Sequence, residues 1–524
     1  IPQHQASPLK RMVDKFHSEN TYIICMSGRN LVGMLALRGN RPFSLDQKLP
    51  NLDSYLPAGR ALCEIRLLSV DRKFRTGQVF QGLMALVWQF FVDNNYDMGV
   101  ISGTTRQLKL YHHLGWIPFG PLVGTEGAMF QPMYLSIESF EAGVRDFLNA
   151  RNARNFSRPM VNFLPGPVAI SRQVRRAFEQ MPESHRGDAF VAEFQAAKQT
   201  LCSLTGARHV EIMLGSGSLA NDAIAAQLSL EEKLGLVVTN GEFGERLADH
   251  ARRFQLNFDT LQYAWGEPFD LEAIEQKLDS RPRPGWLWIA HCETSSGVVN
   301  DLTAIKTLCD KYGVKLCADC ISSIGTMPVD LSGVYLASCA SGKGLRSFPG
   351  LGLVFYHHDL APATRPVPRY LDLGLYARNE GIAFTHSSNL VNALHAAVKR
   401  VDWAGRFSEL AGVAAWLRPK LREFGFQLVG SDSETSAAVY TLALPEQLNS
   451  AKVGAQLNEA GFLLSYNSEY LRGRNWIQIC LMGEFEHAKL TPLLNHLNRI
   501  CFRRPQVQST PATESAPAKK MTAD

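Results

Sequence analysis

The chain has 524 residues, about three times the usual ~150-residue domain, so two or three domains are expected. Hydrophobic residues make up 45% and charged residues 20%, a balance that excludes a mainly disordered, collagen-like or coiled-coil chain. Lys and Arg number 54 against 49 Asp and Glu, and a formal charge of +5 spread over this length gives no reason to expect nucleic acid. The ten cysteines are too sparse for a disulfide scaffold, and Cys25, Cys63, Cys292 and Cys317 lie in apolar runs, as reduced thiols do. Cys317 and Cys320 form a lone CxxC with no second pair or His cluster beside it; packing is the expected role, with a redox or metal role as the other reading, and no metal site is assigned. The longest apolar stretch, 83–92, is broken by Gln89 and is far short of a ~20-residue membrane span. No signal-peptide pattern opens the sequence, and a reducing cytoplasm is the expected compartment.

Residues 1–147 read as a mixed α/β unit. Apolar runs at 22–26 and 31–37 flank Ser27-Gly28-Arg29-Asn30, a predicted hairpin. A strand at 62–70 follows, then a basic, Gly-containing turn at 71–78. Val79, Leu83, Val87 and Phe90 then recur at helical spacing. A strand at 98–102, a short helix at 106–114 and a strand at 131–137 complete the unit. Residues 148–159 are polar and basic, end in Pro159, and are expected to be a linker. From 160 to 503, short apolar strands alternate with amphipathic helices. Strands are predicted at 210–214, 235–239, 286–291, 314–319, 334–338 and 351–356, which argues for a large, mostly parallel sheet covered by helices. A smaller α/β lobe is expected at about 405–500, and residues 504–524, rich in Pro, Thr, Ala, Ser and Lys, are expected to be a disordered tail.

The polar residues after these strands carry the chemistry. Gly215-Ser216-Gly217-Ser218 lies between strand 210–214 and a helix predicted at 218–229; free N–H groups at such a helix start attract an anion. The same residues fit the Gly-x-Gly-x-x-Ala dinucleotide fingerprint. That fingerprint belongs to the first βα turn, however, and residues 160–214 of the same domain precede it here. A plain tight turn is the other reading. Further on, Asn240-Gly241-Glu242-Phe243, His291-Cys292-Glu293-Thr294, Asp319 and Ser341-Gly342-Lys343-Gly344 each follow an apolar run. In a parallel sheet these tips share one edge, where ligands bind. Together they offer an anion cradle, an aromatic ring, a hydroxyl, a carboxylate and a lysine, the set pyridoxal phosphate needs: phosphate on the helix start, ring against the pyridine, carboxylate on the ring nitrogen and lysine for the Schiff base. Singly, Lys343 also reads as a surface lysine and Asp319 as a turn residue.

The segments NFLPGPVAIS, GSGSLAND, NGEFGERLAD, HCETSSGVVNDL, CADCISSIGTMPVD, SGKGLRSFPGLGLVF and THSSNLVNALHAAV resemble the class V aminotransferases of fold type I. Within them the resemblance is to the alanine–glyoxylate and 2-aminoethylphosphonate–pyruvate aminotransferase group. It implies Lys343 as Schiff-base lysine and general acid/base, Asp319 on the pyridine nitrogen, Phe243 as the stacking ring and Thr294 near the ring oxygen. It implies Ser216, Gly217 and Ser218 as the phosphate cradle. Thr385 is implied to reach the cofactor phosphate of a neighbouring subunit, since family members are dimers. One departure stands out. The Arg that binds the substrate carboxylate in the family is replaced by Gln478, which lacks the charged two-point fork. Arg472 and Arg474 are the candidate substitutes, and solvated loop arginines are the plainer reading.

The first unit resembles the GNAT acyltransferase fold, and within it the autoinducer synthases that acylate amino acids from acyl carriers. The residues behind this are 63–70, 72–79 and 104–116. Arg72, Arg75 and the amides from Gly77 onward at a helix start suit a carrier's pyrophosphate or phosphopantetheine arm. Tyr111 stands where the fold often has its proton donor. Glu64 is a candidate base, or a structural partner of Arg66. The expectation is a bifunctional enzyme. A pyridoxal-phosphate aminotransferase passing an amino group to a small oxo acid is joined to an N-acyltransferase that uses acyl-CoA or an acyl carrier protein thioester. The alternative is a pyridoxal-phosphate lyase with a degenerate GNAT-like binding or dimerisation module.

Overall fold

The computed structural model describes residues 14–75, 77–125, 127–136, 139 and 160–502. The expected linker at 148–159 and tail at 504–524 lie outside them. The chain divides into two units, 1–157 with 491–524, and 158–490.

The first unit is a twisted sheet with α1 (Gln78–Asp93) against one face. Its strands are β1 (Thr21–Ser27), β2 (Asn30–Arg38), β3 (Leu62–Val70), β4 (Met98–Thr104), β5 (Ile117–Pro118), β6 (Val123–Thr125) and β7 (Ala128–Ser136), in the order β1-β2-β3-β4-β7-β5 with β6 on β7. The predicted hairpin is present, with Ser27 opposite Asn30. The short helix α2 (Leu108–His113) follows β4 after a 3₁₀ turn at Thr105–Gln107. β3 and β4 run parallel but pair only at Leu62–Met98, Cys63–Gly99 and Glu64–Val100. Beyond that, β3 has a bulge in its pairing with β2 and Leu67 takes φ 54°, so the two strands part. A narrow cavity lined by Ile65, Val87, Trp88, Phe91, Gly99, Trp116 and Leu135 lies by this gap, and its accessible lining is entirely apolar.

The second unit is built on a seven-stranded sheet. Its strands are β8 (His209–Leu214), β9 (Gly235–Thr239), β10 (Phe258–Gln262), β11 (Trp286–Ala290), β12 (Lys315–Asp319), β13 (Leu336–Ala340) and β14 (Leu351–Tyr356). Their order is β10-β9-β11-β12-β13-β14-β8, parallel throughout except for β14, which is antiparallel to both neighbours. Both faces are buried, which is why these strands read as continuous apolar runs. Leu236, Val238, Leu287 and Ile289 point into one core with the helix Asp188–Thr205, while Val237, Trp286 and Trp288 point into the other. α3 (Gly217–Leu228) and α4 (Glu242–Arg253) cover that second face. β10 was not anticipated from sequence; it is a half-exposed edge strand, Phe-Asp-Thr-Leu-Gln, without an apolar run.

The smaller lobe of this unit carries α5 (Trp403–Glu423), α6 (Ser450–Glu459) and α7 (Glu469–Arg474). Its antiparallel sheet has β15 (Gln427–Leu428), β16 (Val439–Ala443) and β17 (Trp476–Cys480), with β16 in the middle. The last helix, α8 (Leu490–Cys501), falls in the range expected for this lobe but meets α1 of the first unit. There Asn495 Nδ2 donates to the Asp93 carbonyl at 3.2 Å, and His496 Nε2 lies 3.4 Å from the Asp93 carboxylate. No helix among the described residues is long and apolar enough to cross a membrane.

Candidate active site

Because β8, β9, β11, β12 and β13 run parallel, their C-terminal ends open on one edge of the sheet. That edge carries Gly215, Asn240, His291, Asp319 and Ser341. Lys343 follows β13 by one turn. Its Nζ donates to Ser322 Oγ at 3.0 Å and lies 5.1 Å from the centre of the Phe243 ring. Burial pushes the Lys343 ammonium below the usual lysine range, and nearby Asp319 pulls it partly back. No carboxylate makes an ion pair with it among the described residues. Gly166 backs the lysine: a Cβ there would sit 3.4 Å from Lys343 Cγ. This is where the NFLPGP segment enters, tied to the small lobe through Cys480 N donating to the Phe163 carbonyl at 2.9 Å.

Asp319 is buried at the end of β12. It accepts from Asn221 Nδ2 at 2.9 Å and from Ile321 N at 2.9 Å, while burial raises its carboxyl above the ordinary range. Asn221, on α3, also accepts from Ser338 Oγ at 2.6 Å, so the carboxylate is held from two elements. The α3 N-terminus has Ser216 at its cap with no side-chain cap bond, and Ser216 and Ser218 are exposed. Gly217 lies so close to Ile321 that a Cβ would meet Cδ1 at 2.5 Å. Leu219 N donates to the Ser216 carbonyl at 3.0 Å, which leaves the Gly217 and Ser218 amides at the helix start for a ligand, and glycine is what fits the approach.

Phe243 stands in the first turn of α4, and a residue not singled out from sequence fixes it. Glu293 is fully buried and accepts from Phe243 N at 3.0 Å, Gly244 N at 2.9 Å and Ser295 N at 3.0 Å. The carboxylate thereby caps α4 and holds the next residue, Thr294, whose hydroxyl meets that of Ser322. An uncapped helix start, a buried carboxylate with few partners, a ring and an amine held by a hydroxyl and not by a carboxylate fit the phosphate, pyridine nitrogen, ring face and aldehyde of pyridoxal phosphate. Thr385 is exposed ahead of the helix Ser388–Val398, and no described contact joins it to Lys343.

Gln478 turns inward. It is fully buried on β17, and its Nε2 donates to the carbonyls of Thr294 at 2.7 Å and Ser295 at 3.1 Å and to Thr441 Oγ1 at 2.8 Å. Its Oε1 has no hydrogen-bond partner among the described residues. The side chain ties the small lobe to the Thr294 loop instead of lying open to a substrate. Arg474 and Arg472 are both exposed on α7. Arg474 Cζ lies 3.8 Å from the Trp265 ring centre. Trp265 meets Tyr470 at 6.0 Å, and Tyr470 meets Phe243 edge-on at 6.4 Å.

In the first unit, Glu64 is buried, and its oxygens accept from Ser44 N at 2.7 Å and Leu45 N at 2.9 Å. That is the arrangement of an anchor for the 43–46 loop, not of a free base. Arg66 lies 3.5 Å from Glu64 and forms a two-point pair with Asp14 at 2.9 and 3.0 Å. The Tyr111 ring lies against β4, 3.1 Å from where a Gly103 Cβ would stand. Arg72 and Arg75 are exposed, and Arg75 Nε donates to the Val70 carbonyl at 3.0 Å. Gly77, at φ 94°, caps α1 with no side chain over its first amides.

Residues 175–370 match the Aminotransferase class-V family. The "Soluble hydrogenase 42 kDa subunit" of Anabaena cylindrica is 31% identical over 298 residues, covering 54% of this chain and 78% of that protein. The chain belongs to the class-V aminotransferase family. A 2-aminoethylphosphonate–pyruvate transaminase of Pseudomonas aeruginosa is 31% identical over 260 residues, 47% of this chain and 70% of that one. The crystal structure of an alanine–glyoxylate aminotransferase from Nostoc sp. superposes with a TM-score of 0.59 at 25% identity, covering 67% of this chain and 99% of that one. The second unit is therefore a fold type I, pyridoxal-phosphate-dependent aminotransferase. Residues 2–135 match a second family, N-acyl amino acid synthase FeeM, so the class-V unit is preceded by an N-acyl amino acid synthase domain, whose strands and helices are consistent with a GNAT-like domain.

Proposed function

We propose that the chain passes an amino group from a donor to a small oxo acid such as pyruvate or glyoxylate, and separately joins an acyl group to an amine or amino acid. The observation that carries the first half is the convergence on one sheet edge of Lys343, Asp319, Phe243 and the uncapped start of α3. Bound there, pyridoxal phosphate supplies the electron sink that lets a C–H bond next to nitrogen ionise. Lys343 holds the cofactor and carries the proton, Asp319 keeps the ring nitrogen charged, Phe243 covers the ring and Thr294 addresses its oxygen. Ser216, Gly217 and Ser218 take the phosphate, and Thr385 serves the site of a second copy in a homodimer.

Gln478 is committed to the Thr294 loop, so the donor's acidic group meets Arg474 instead, which is supported by the Trp265 ring 3.8 Å from its Cζ. Arg472 lacks that support. In the acyltransferase half, the basic turn with Arg72, Arg75 and Gly77 receives the phosphate-bearing arm of coenzyme A or an acyl carrier protein. The apolar cavity by the β3–β4 gap receives the acyl chain, and Tyr111 protonates the leaving thiolate. We assign residues 1–147 to this half, 148–159 to a linker and 160–503 to the aminotransferase, working in the cytoplasm.

The purified protein with pyridoxal phosphate should show a visible absorption band, and Lys343→Ala should lose the band and transamination by roughly a thousandfold or more, since the covalent and proton-transfer roles vanish together. A mutant of normal rate contradicts the assignment.

A further inference from the structure

We infer that Ser322 is a positioning residue of the aminotransferase half, receiving an N–H of the free Lys343 amine and so aiming its lone pair; this rests on the transaminase reading above. Ser322 is buried in the turn that follows β12, three residues after Asp319. That turn is closed by Ile321 N on Asp319 Oδ1 at 2.9 Å and by Ile324 N on the Cys320 carbonyl at 3.1 Å, so the carboxylate and the hydroxyl are fixed as one piece. Ser322 Oγ lies 3.0 Å from Lys343 Nζ. On its other side it meets Thr294 Oγ1, and the Thr294 carbonyl is held by Gln478 at 2.7 Å. The hydroxyl is thus clamped between the amine and a loop that is itself tied to the small lobe.

A neutral amine has two N–H groups and one lone pair. Donating one N–H to Ser322 leaves the lone pair free and fixes its direction, while the Ser322 proton turns to Thr294. When Nζ accepts the proton released from the donor's α-carbon it becomes an ammonium, and the same bond to Ser322 is then charge-assisted and stronger. The interaction therefore favours the proton-bearing state over the starting state, which is what lowers a barrier. Burial of Lys343 lowers the proton affinity of its amine, which favours the form with a lone pair to be aimed.

Two measurements on full-length Ser322→Ala decide the role. In cofactor-free protein, cyanate carbamylation of Lys343 followed by peptide mass spectrometry against pH reports the amine's midpoint. Losing an acceptor for the ammonium should lower that midpoint by about one pH unit. In protein loaded with pyridoxal phosphate, single-turnover reaction with L-alanine should slow about tenfold or more. A larger deuterium effect with α-deuterated alanine and cofactor affinity within about twofold of wild type should accompany it. If loaded wild-type protein converts no donor, the transaminase reading fails, and the carbamylation midpoint alone still decides whether Ser322 governs Lys343. An unmoved midpoint, or a mutant single-turnover rate within about twofold of an active wild type, overturns the inference.

Discussion

At the scale of single residues, Gln478 shows how one substitution redirects a site. Where the family resemblance calls for an arginine on the substrate carboxylate, this chain has a neutral amide whose Nε2 serves three oxygens of the interior while its Oε1 goes without a partner among the described residues. Gln478→Arg removes the orphaned acceptor and offers five donors, enough to keep the Thr294 carbonyl and extend toward a carboxylate. The expected outcome is a KM for L-alanine lowered by about tenfold, the worth of one charge-assisted bond at the low end. An unchanged or raised KM would show that position 478 does not reach the substrate. Residues of this kind were the least legible in the sequence. Lys343 and Asp319 stand out in the sequence because Asp319 closes one apolar run and Lys343 follows another by one turn. Ser322, Glu293 and Asn221 act through partners 21, 50 and 98 residues away, and no local pattern announces such a partner.

At the scale of elements, the β3–β4 pair determines what the first unit can hold. Three paired positions followed by divergence leave an apolar opening beside α1, and Gly99 keeps it clear, since a Cβ there would lie 3.2 Å from the Phe91 ring. Gly99→Leu should fill the opening. Acylation from long-chain thioesters should fall by about tenfold or more, with transamination unaffected, as measured by mass spectrometry of acylated amines; overpacking typically costs about 1–3 kcal/mol. Equal loss with acetyl and long-chain donors would place the acyl chain elsewhere. The strands of the large sheet were legible because burial on both faces makes them uninterrupted apolar runs. β10 was not, because an edge strand alternates less and carries Asp259, Thr260 and Gln262. α8 shows the complementary limit: its apolar periodicity says that one face is buried, not that the neighbour is α1.

At the scale of the molecule, two chemistries share one chain, each with its own core. Arg75→Glu reverses a charge in the basic turn that we assign to the acyl carrier. It should raise the KM for the acyl thioester several-fold, more at low salt, because exposed charges are screened beyond a Debye length of about 8 Å at physiological ionic strength. Single-turnover transamination should stay within about twofold of wild type. A parallel fall in both reactions would show that the two halves work as one site.

Lys343 is the residue we propose holds the cofactor, and one measurement reaches it without a choice of substrate. Protein loaded with pyridoxal phosphate is treated with borohydride, digested, and its peptides are read by mass spectrometry. A single reduced cofactor adduct on Lys343, absent from Lys343→Ala, is the predicted result. Adducts scattered over other lysines, or a Lys343 peptide that stays unmodified while the protein keeps its visible band, would contradict it.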